Sequence, residues 1–225
     1  MRDGFVNLTV TSPPYDDLRG YEGYQWDFYD IATELYRVTA DDGVLVWVIG
    51  DATVKGSETG SSFRQALHFM ELGFKLHDTM IFEKNSSTFP AKRKGGRYTQ
   101  IFEYMFVFAK GDVLAALICD KPNKWAGHKD FGGKLKNPVP DFSPRNNIWR
   151  YVTSFNGVEH PAPFPERLAQ DHILTWSKPG ALVYDPFMGS GTTAKMALLN
   201  DRHFVGSEIS EKYTAIANKR VEGLL

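Results

Sequence analysis

Two runs in this chain carry residue types that could do chemistry. Near the start stands Thr11-Ser12-Pro13-Pro14-Tyr15, which offers a hydroxyl, a carbonyl and an aromatic ring around paired prolines. The prolines restrict their own backbone and that of the residues before them, so the Ser12 hydroxyl and the Pro13 carbonyl form a pre-set pair of acceptors. Near the end stands Asp185-Pro186-Phe187-Met188-Gly189-Ser190-Gly191-Thr192-Thr193. A strand ending in Asp185, then a Gly-Ser-Gly turn and a helix, brings backbone N–H groups at the helix start toward a ligand, and the small residues let that ligand approach. Glu208 closes the next strand with a carboxylate able to accept hydrogen bonds from ribose hydroxyls. The combination suits a cofactor containing adenosine. ATP in a P-loop is disfavoured, because that pattern needs Lys directly after its last Gly and here Thr192 follows Gly191. NAD stays open, since Gly189-x-Gly191-x-x-Ala194 roughly imitates the dinucleotide fingerprint.

The elements that must position these runs are readable from hydropathy. Phe5 to Thr11 alternates and then meets Pro13-Pro14, which predicts a strand ending in a rigid turn, with the first run at its carboxyl end. Apolar residues at Phe28, Ile31, Leu35 and Val38 predict a helix over Trp26 to Val38, stopped by Asp41-Asp42-Gly43 before a buried strand, Val44 to Ile49. A second helix is expected over Phe63 to Leu72, then strands over Lys75 to Glu83 and Ile101 to Ala109. From Gly111 to Arg150 periodicity largely fails, which predicts an irregular insertion. Pro165 to Ser177 resumes as a helix with Pro165 in its first turn, followed by strand Ala181 to Tyr184, helix Thr192 to Leu199, strand His203 to Gly206 and a last helix over Glu211 to Glu222. Strands alternating with helices predict an α/β sheet.

The 225 residues suit one domain with an inserted lobe, divided as 1–110, 111–150 and 151–225. A single cysteine, Cys119, excludes an intramolecular disulfide framework and reads as an ordinary buried residue. With no apolar run of membrane-spanning length and no signal-peptide pattern, the expected location is a reducing cytoplasm, without membrane association. No histidine shows metal-ligand spacing, so no metal is expected. The net charge of −1 hides an uneven distribution: Lys84 to Arg150 holds 13 basic and 5 acidic residues. A segment that basic in an otherwise acidic chain is a candidate polyanion-facing lobe, a solvated surface loop being the alternative.

Taken together and in this order, the two runs resemble those of the DNA amino-methyltransferases. Ser12-Pro13-Pro14-Tyr15 resembles that family's catalytic tetrapeptide, and Asp185 to Thr193 its S-adenosylmethionine loop. The resemblance implies a Rossmann-like fold with helices on both faces of a mostly parallel sheet, circularly permuted so that the catalytic half comes first, with a target-recognition insertion. It implies S-adenosylmethionine as cofactor, with Asp185 near the sulfonium and amino end, Phe187 against adenine, Pro186, Gly189, Ser190 and Gly191 as further cofactor-binding residues of the loop, and Thr192 and Thr193 near the methionine carboxylate. His160-Pro161-Ala162-Pro163-Phe164-Pro165 resembles the family's element that helps hold the methionine moiety, through His160, Pro161, Ala162 and Phe164. In much of the family a Gly-Asp element upstream of the catalytic motif meets the adenine, and the resemblance leaves open which residue does so here.

The implied reaction is methyl transfer to an exocyclic amino group in double-stranded DNA. Such a nitrogen is a poor nucleophile because its lone pair is delocalised into the ring. Two fixed acceptors, the Ser12 hydroxyl and Pro13 carbonyl, can take its N–H bonds and localise that pair, while Tyr15 offers a ring on which an extruded base can stack. Ser at position 12 is commoner among the family's cytosine-N4 enzymes than among its adenine-N6 enzymes, so cytosine N4 is expected, with adenine N6 as the alternative. An NAD-dependent oxidoreductase, and a DNA-binding module with vestigial machinery, are the readings of other classes. A prokaryotic or phage restriction-modification context is implied, and a homodimer or an accompanying restriction endonuclease is left open.

Within the basic segment, Lys92, Arg93, Lys94 and Arg97 suit phosphates, whereas Asn123, Lys124, Trp125, Arg145, Asn146 and Asn147 are types that read base edges or fill a vacated base position. Replacing two of the four loop cations with Ala should weaken all duplexes alike and make the log-log salt slope of binding shallower by about two. An unchanged slope in salt-dependent binding isotherms, or a changed methylated sequence, would assign the loop another role.

Overall fold

The computed structural model describes residues 1–14, 26–85, 96, 98–113, 115–129, 137–152 and 165–224. The first strand, β1 (Val6–Thr11), leads to α1 (Phe28–Val38), whose start is capped by the Asp27 carboxylate accepting the Tyr29 and Asp30 N–H groups. Next come β2 (Thr39–Ile49), a small hairpin of β3 (Thr53–Val54) and β4 (Ser57–Glu58), α2 (Ser61–Glu71), β5 (Lys75–Lys84) and β6 (Phe102–Ala109). The insertion holds β7 (Lys121–Pro122) and β8 (Phe142–Ser143), and β9 (Ile148–Tyr151) follows it. The chain then forms α3 (Glu166–Trp176), β10 (Leu182–Asp185), α4 (Thr192–Leu199), β11 (His203–Gly206) and α5 (Glu211–Val221).

The main sheet runs β11-β10-β1-β2-β6-β5-β9, with every neighbouring pair parallel except those made by β6. Parallel neighbours need a crossover, and α1 and α4 provide them in the β1–β2 and β10–β11 connections, while α2 carries the chain from β2 past the position of β6 to β5. A sheet covered on both sides must bury both faces of its central strands. On β2, accordingly, Val44, Val46 and Val48 enter one core with Leu168 and Ile173 of α3 and Met196 of α4. The alternate residues Leu45, Trp47 and Ile49 enter the other, with Leu35 of α1 and Phe69 of α2. Among the described residues, no helix is long and apolar enough to cross a membrane.

Two expectations are corrected. The irregular insertion predicted to reach Arg150 ends sooner: residues 148–151 pair with Ile81–Lys84 as an edge strand, because Trp149 and Tyr151 alternate into the core. Cys119 is exposed rather than buried, since its stretch lies outside the sheet.

The stem of the insertion is tied down by Arg145. Its guanidinium donates to Asp120, with Nε 2.9 Å from Oδ2, and to Asp171 on α3 at 2.8 Å, while its face lies 5.2 Å from the Trp149 ring centre. Asp171 is 1% exposed and also accepts from the Tyr151 hydroxyl at 2.8 Å, and Arg167 Nε lies 2.9 Å from its other oxygen. A buried carboxylate that loses a cation is left poorly compensated. Arg145→Ala should therefore cost about 3 kcal/mol in urea unfolding, against about 1 kcal/mol or less for the solvent-facing Arg167→Ala. Equal losses in the two variants would refute the anchoring role of Arg145.

Candidate functional site

The two chemistry-bearing runs meet at one edge of the sheet. Strands β1 and β10 are parallel neighbours, with Leu8 opposite Val183 and Thr9 opposite Tyr184, so Ser12 and the Gly loop emerge side by side at their carboxyl ends. Thr11 Oγ1 donates to Asp185 Oδ1 at 2.6 Å, and Phe187 N–H donates to the same oxygen at 3.0 Å. Thr193 Oγ1 reaches back to the Val10 carbonyl at 3.3 Å. Thr11, Asp185 and Thr193 are all buried. Burial pushes the Asp185 carboxyl up to about 6, against the Thr11 and Thr193 hydroxyls and the Phe187 N–H, which favour its charged form. Ser12 itself is half-buried, directly beyond Thr11, with Pro13 buried behind it.

The Gly loop is held from several sides. Gly189 N–H donates to Glu208 Oε2 at 2.8 Å, and Ser210 N–H donates to Oε1 at 2.9 Å. Glu208 thus shapes the loop with one lone pair on each oxygen and keeps others for a ligand hydroxyl. Gly191 precedes α4 in the left-handed region, at φ +78°, and a Cβ there would stand 2.9 Å from Ala217 Cβ on α5. Glycine is required at this position twice over, for conformation and for the close approach of α5. Among the described residues no side chain caps α4, so the N–H groups of its first turn face the loop without a side-chain partner there.

Phe187 is half-buried, its ring 5.0 Å from Trp26 and 6.2 Å from Trp47 in edge-on contacts. Trp26, legible in the sequence only as the start of a helix, is therefore part of the wall beside the loop. Sequence reasoning also misses Arg220 and Lys195. Arg220 touches Ser190 and Thr192, and both cations contact Glu166. Their only sequence signal is a pair of basic residues on helices flanking the Gly loop.

Pro186 and Ser190 sit within the same loop, whereas Tyr15, His160, Pro161, Ala162 and Phe164 lie outside the described residues, as do Lys92, Arg93, Lys94 and Arg97. Polar strand ends at the same edge turn out to have structural work. Asp51 accepts from Ser62 N at 3.0 Å and from Ser62 Oγ at 2.5 Å, capping α2, and Glu83 pairs with Arg150 at 2.5 Å. In the insertion, Lys124 and Trp125 are exposed, the ammonium 5.6 Å from the indole centre. Asn146 accepts from Lys121 at 3.0 Å, and the Asn123 and Asn147 amides donate to the carbonyls of Pro140 at 2.7 Å and Thr79 at 3.1 Å. Arg145, expected at base edges, instead spends its guanidinium on the stem described above.

The raised Asp185 carboxyl has a consequence for stability. The folded chain holds that proton to about pH 6, whereas the unfolded chain releases it near the ordinary 3.8. The strain of a buried charge is therefore full above pH 6 and is relieved as the pH falls through this window, so stability contributed by this group rises on acidification. Asp185→Asn should lack that rise in unfolding free energy measured against pH. Parallel curves for the two proteins would contradict it.

Comparison with known proteins accords with this geometry. A family model described as DNA methylase matches residues 6–219. The orphan methyltransferase M.BamHII of Bacillus amyloliquefaciens is 54% identical over 244 aligned positions, covering 99% of this chain and 91% of that protein. The type II methyltransferase M.SmaI of Serratia marcescens is 28% identical, covering 96% and 84%. Among solved structures, the PvuII DNA methyltransferase (cytosine-N4-specific) superposes with a TM-score of 0.73 at 21% identity, covering 97% of this chain and 80% of that one. A Thermus thermophilus protein described as a DNA modification methylase, solved with S-adenosyl-L-methionine, gives 0.70 at 25% identity, covering 100% and 88%. The fold is thus the Rossmann-like one, with the strand that leads to Ser12 ahead of the Gly loop in the chain, and the chain belongs to the DNA amino-methyltransferase family.

Proposed function

We propose that this DNA methyltransferase modifies specific sequences in duplex DNA, taking the methyl group of S-adenosylmethionine and placing it on the N4 amino group of cytosine. The observation that carries the reading is the parallel pairing of β1 with β10, fastened by the 2.6 Å bond from Thr11 to Asp185, which brings Ser12-Pro13 beside the Gly loop. The residues present fit the cofactor. The uncapped start of α4 suits a carboxylate, the half-buried Glu208 suits ribose hydroxyls, and Phe187 with Trp26 offers an aromatic wall. When bound, S-adenosylmethionine supplies an electrophilic sulfonium methyl.

The chain's own contribution is positional. Ser12 and the Pro13 carbonyl accept the two N–H bonds of the target amine, which directs its lone pair away from the ring and toward the loop. No strong base is needed, because the methylated amine is cationic and sheds a proton readily. Thr11 and Thr193 keep the acceptor pair at a fixed height relative to the loop. Two observations support cytosine: serine at position 12, and the likeness to a structure named cytosine-N4-specific.

Ser12→Ala should lower single-turnover methylation by roughly 10²-fold or more while leaving cofactor affinity nearly unchanged. Wild-type rates would remove Ser12 from the chemistry. Nucleoside mass spectrometry of DNA treated with the wild-type chain should find N4-methylcytosine. N6-methyladenine would reassign the base, and no methylated base at all would overturn the reading.

A further inference from the structure

Arg220, near the end of α5, has a side chain only 12% exposed. Its Nη1 stands 3.2 Å from both the carbonyl and the hydroxyl of Ser190, and 3.0 Å from Thr192 Oγ1. Its Nη2 donates to Glu166 Oε1 at 2.6 Å, and the same oxygen accepts from Lys195 Nζ at 2.8 Å. Ala217 and Arg220 are three residues apart and share a face of α5. The small residue lets the helix lie against Gly191, and the arginine grips the loop on either side of it.

The chemistry of these contacts is directional. Guanidinium is a donor only, so in each contact the hydroxyl is the acceptor and keeps its own proton. Ser190 and Thr192 are each 4% exposed, and among the described residues neither hydroxyl donates a hydrogen bond. A hydroxyl polarised by a cation is a stronger donor than a free one. Two such groups stand beside the uncapped start of α4. Within this cluster one carboxylate, Glu166, faces two cations beside the positive end of the helix dipole, while the loop's other carboxylates, Asp185 and Glu208, accept from Thr11, Phe187, Gly189 and Ser210. The unfilled requirement is for an anionic acceptor.

We propose that Arg220 is a positioning residue for the carboxylate end of the cofactor: by binding the lone pairs of Ser190 and Thr192 it turns both hydroxyl protons toward that carboxylate. The inference rests on the methyl-donor reading given above. Glu166 fixes the guanidinium in turn, tying the start of α3 to the loop. Arg220 touches no reacting atom, so its effect falls on affinity and not on the methyl-transfer rate at saturation.

The test compares two ligands by calorimetry: S-adenosylhomocysteine, which carries the amino-acid end, and 5′-methylthioadenosine, which lacks it. Arg220→Ala should weaken the first by about tenfold or more and the second by less than about twofold, with partial recovery in Arg220→Lys. Thr192→Val, which keeps Arg220 and the packing of α5, should weaken the first ligand selectively by a factor on the order of five to ten. Equal weakening of both ligands, or no weakening of the first, in a folded variant would overturn the proposal. So would a large fall in saturated turnover at unchanged affinity. A wild-type chain that binds neither compound would instead sink the methyl-donor reading, and this inference with it.

Discussion

A buried hydrogen bond from the Thr11 hydroxyl to the Asp185 carboxylate fastens the two halves of the site where the paired strands β1 and β10 end, across 174 residues of sequence. A carboxylate taken out of water needs donors, and here they come from both directions: Thr11 from the strand before Ser12, and Phe187 N–H from the loop itself. Neither half can move along its strand without stripping the carboxylate of a partner. A reaction that asks only for two atoms in line depends on such restraint, because misplacement of about 1 Å can cost as much as 10²-fold in rate.

The two cores serve this edge differently. On one side, Trp26, Phe28, Trp47 and Phe69 form a run of edge-on and tilted aromatic contacts that ends at Phe187, giving the loop a wall whose rings are fixed by packing. On the other, charged groups of α3, α4 and α5 take the place of rings: Arg220 touches Ser190 and Thr192 in the loop, and Glu166 holds Arg220 and Lys195. The apolar side is suited to a flat base, and the charged side to an amino acid.

Much of this is legible in the sequence because periodicity and turn chemistry act locally. Helix α4 and strand β11 fall where Thr192 to Leu199 and His203 to Gly206 predict them, and α3 begins at the residue after Pro165. What cannot be read is which distant side chains share a strand end. Nothing in residues 1–14 says that Thr11 will face Asp185, and nothing in the last helix says that Arg220 will reach back to Ser190. Strand β9 escapes notice because four residues beside a Gly- and Pro-rich stretch carry too little pattern, and only the pairing with β5 makes them a strand. Arg145 misleads for a related reason: a guanidinium looks the same in sequence whether it meets a base or a buried aspartate.

The stem that Arg145 closes also bears on how such chains can diverge. Asp120 and Arg145 join the two legs of the insertion, Arg145 N–H donates to the Ile118 carbonyl at 2.8 Å, and β7 pairs with β8 just beyond. With its ends clasped onto α3, the enclosed chain feels the sheet mainly as a fixed separation to be spanned. Doubling the length of a flexible loop under that condition adds only about 0.6 kcal/mol of closure entropy. The segment can therefore gain or lose residues and change its sequence freely while the strands that carry Ser12 and Asp185 stay as they are.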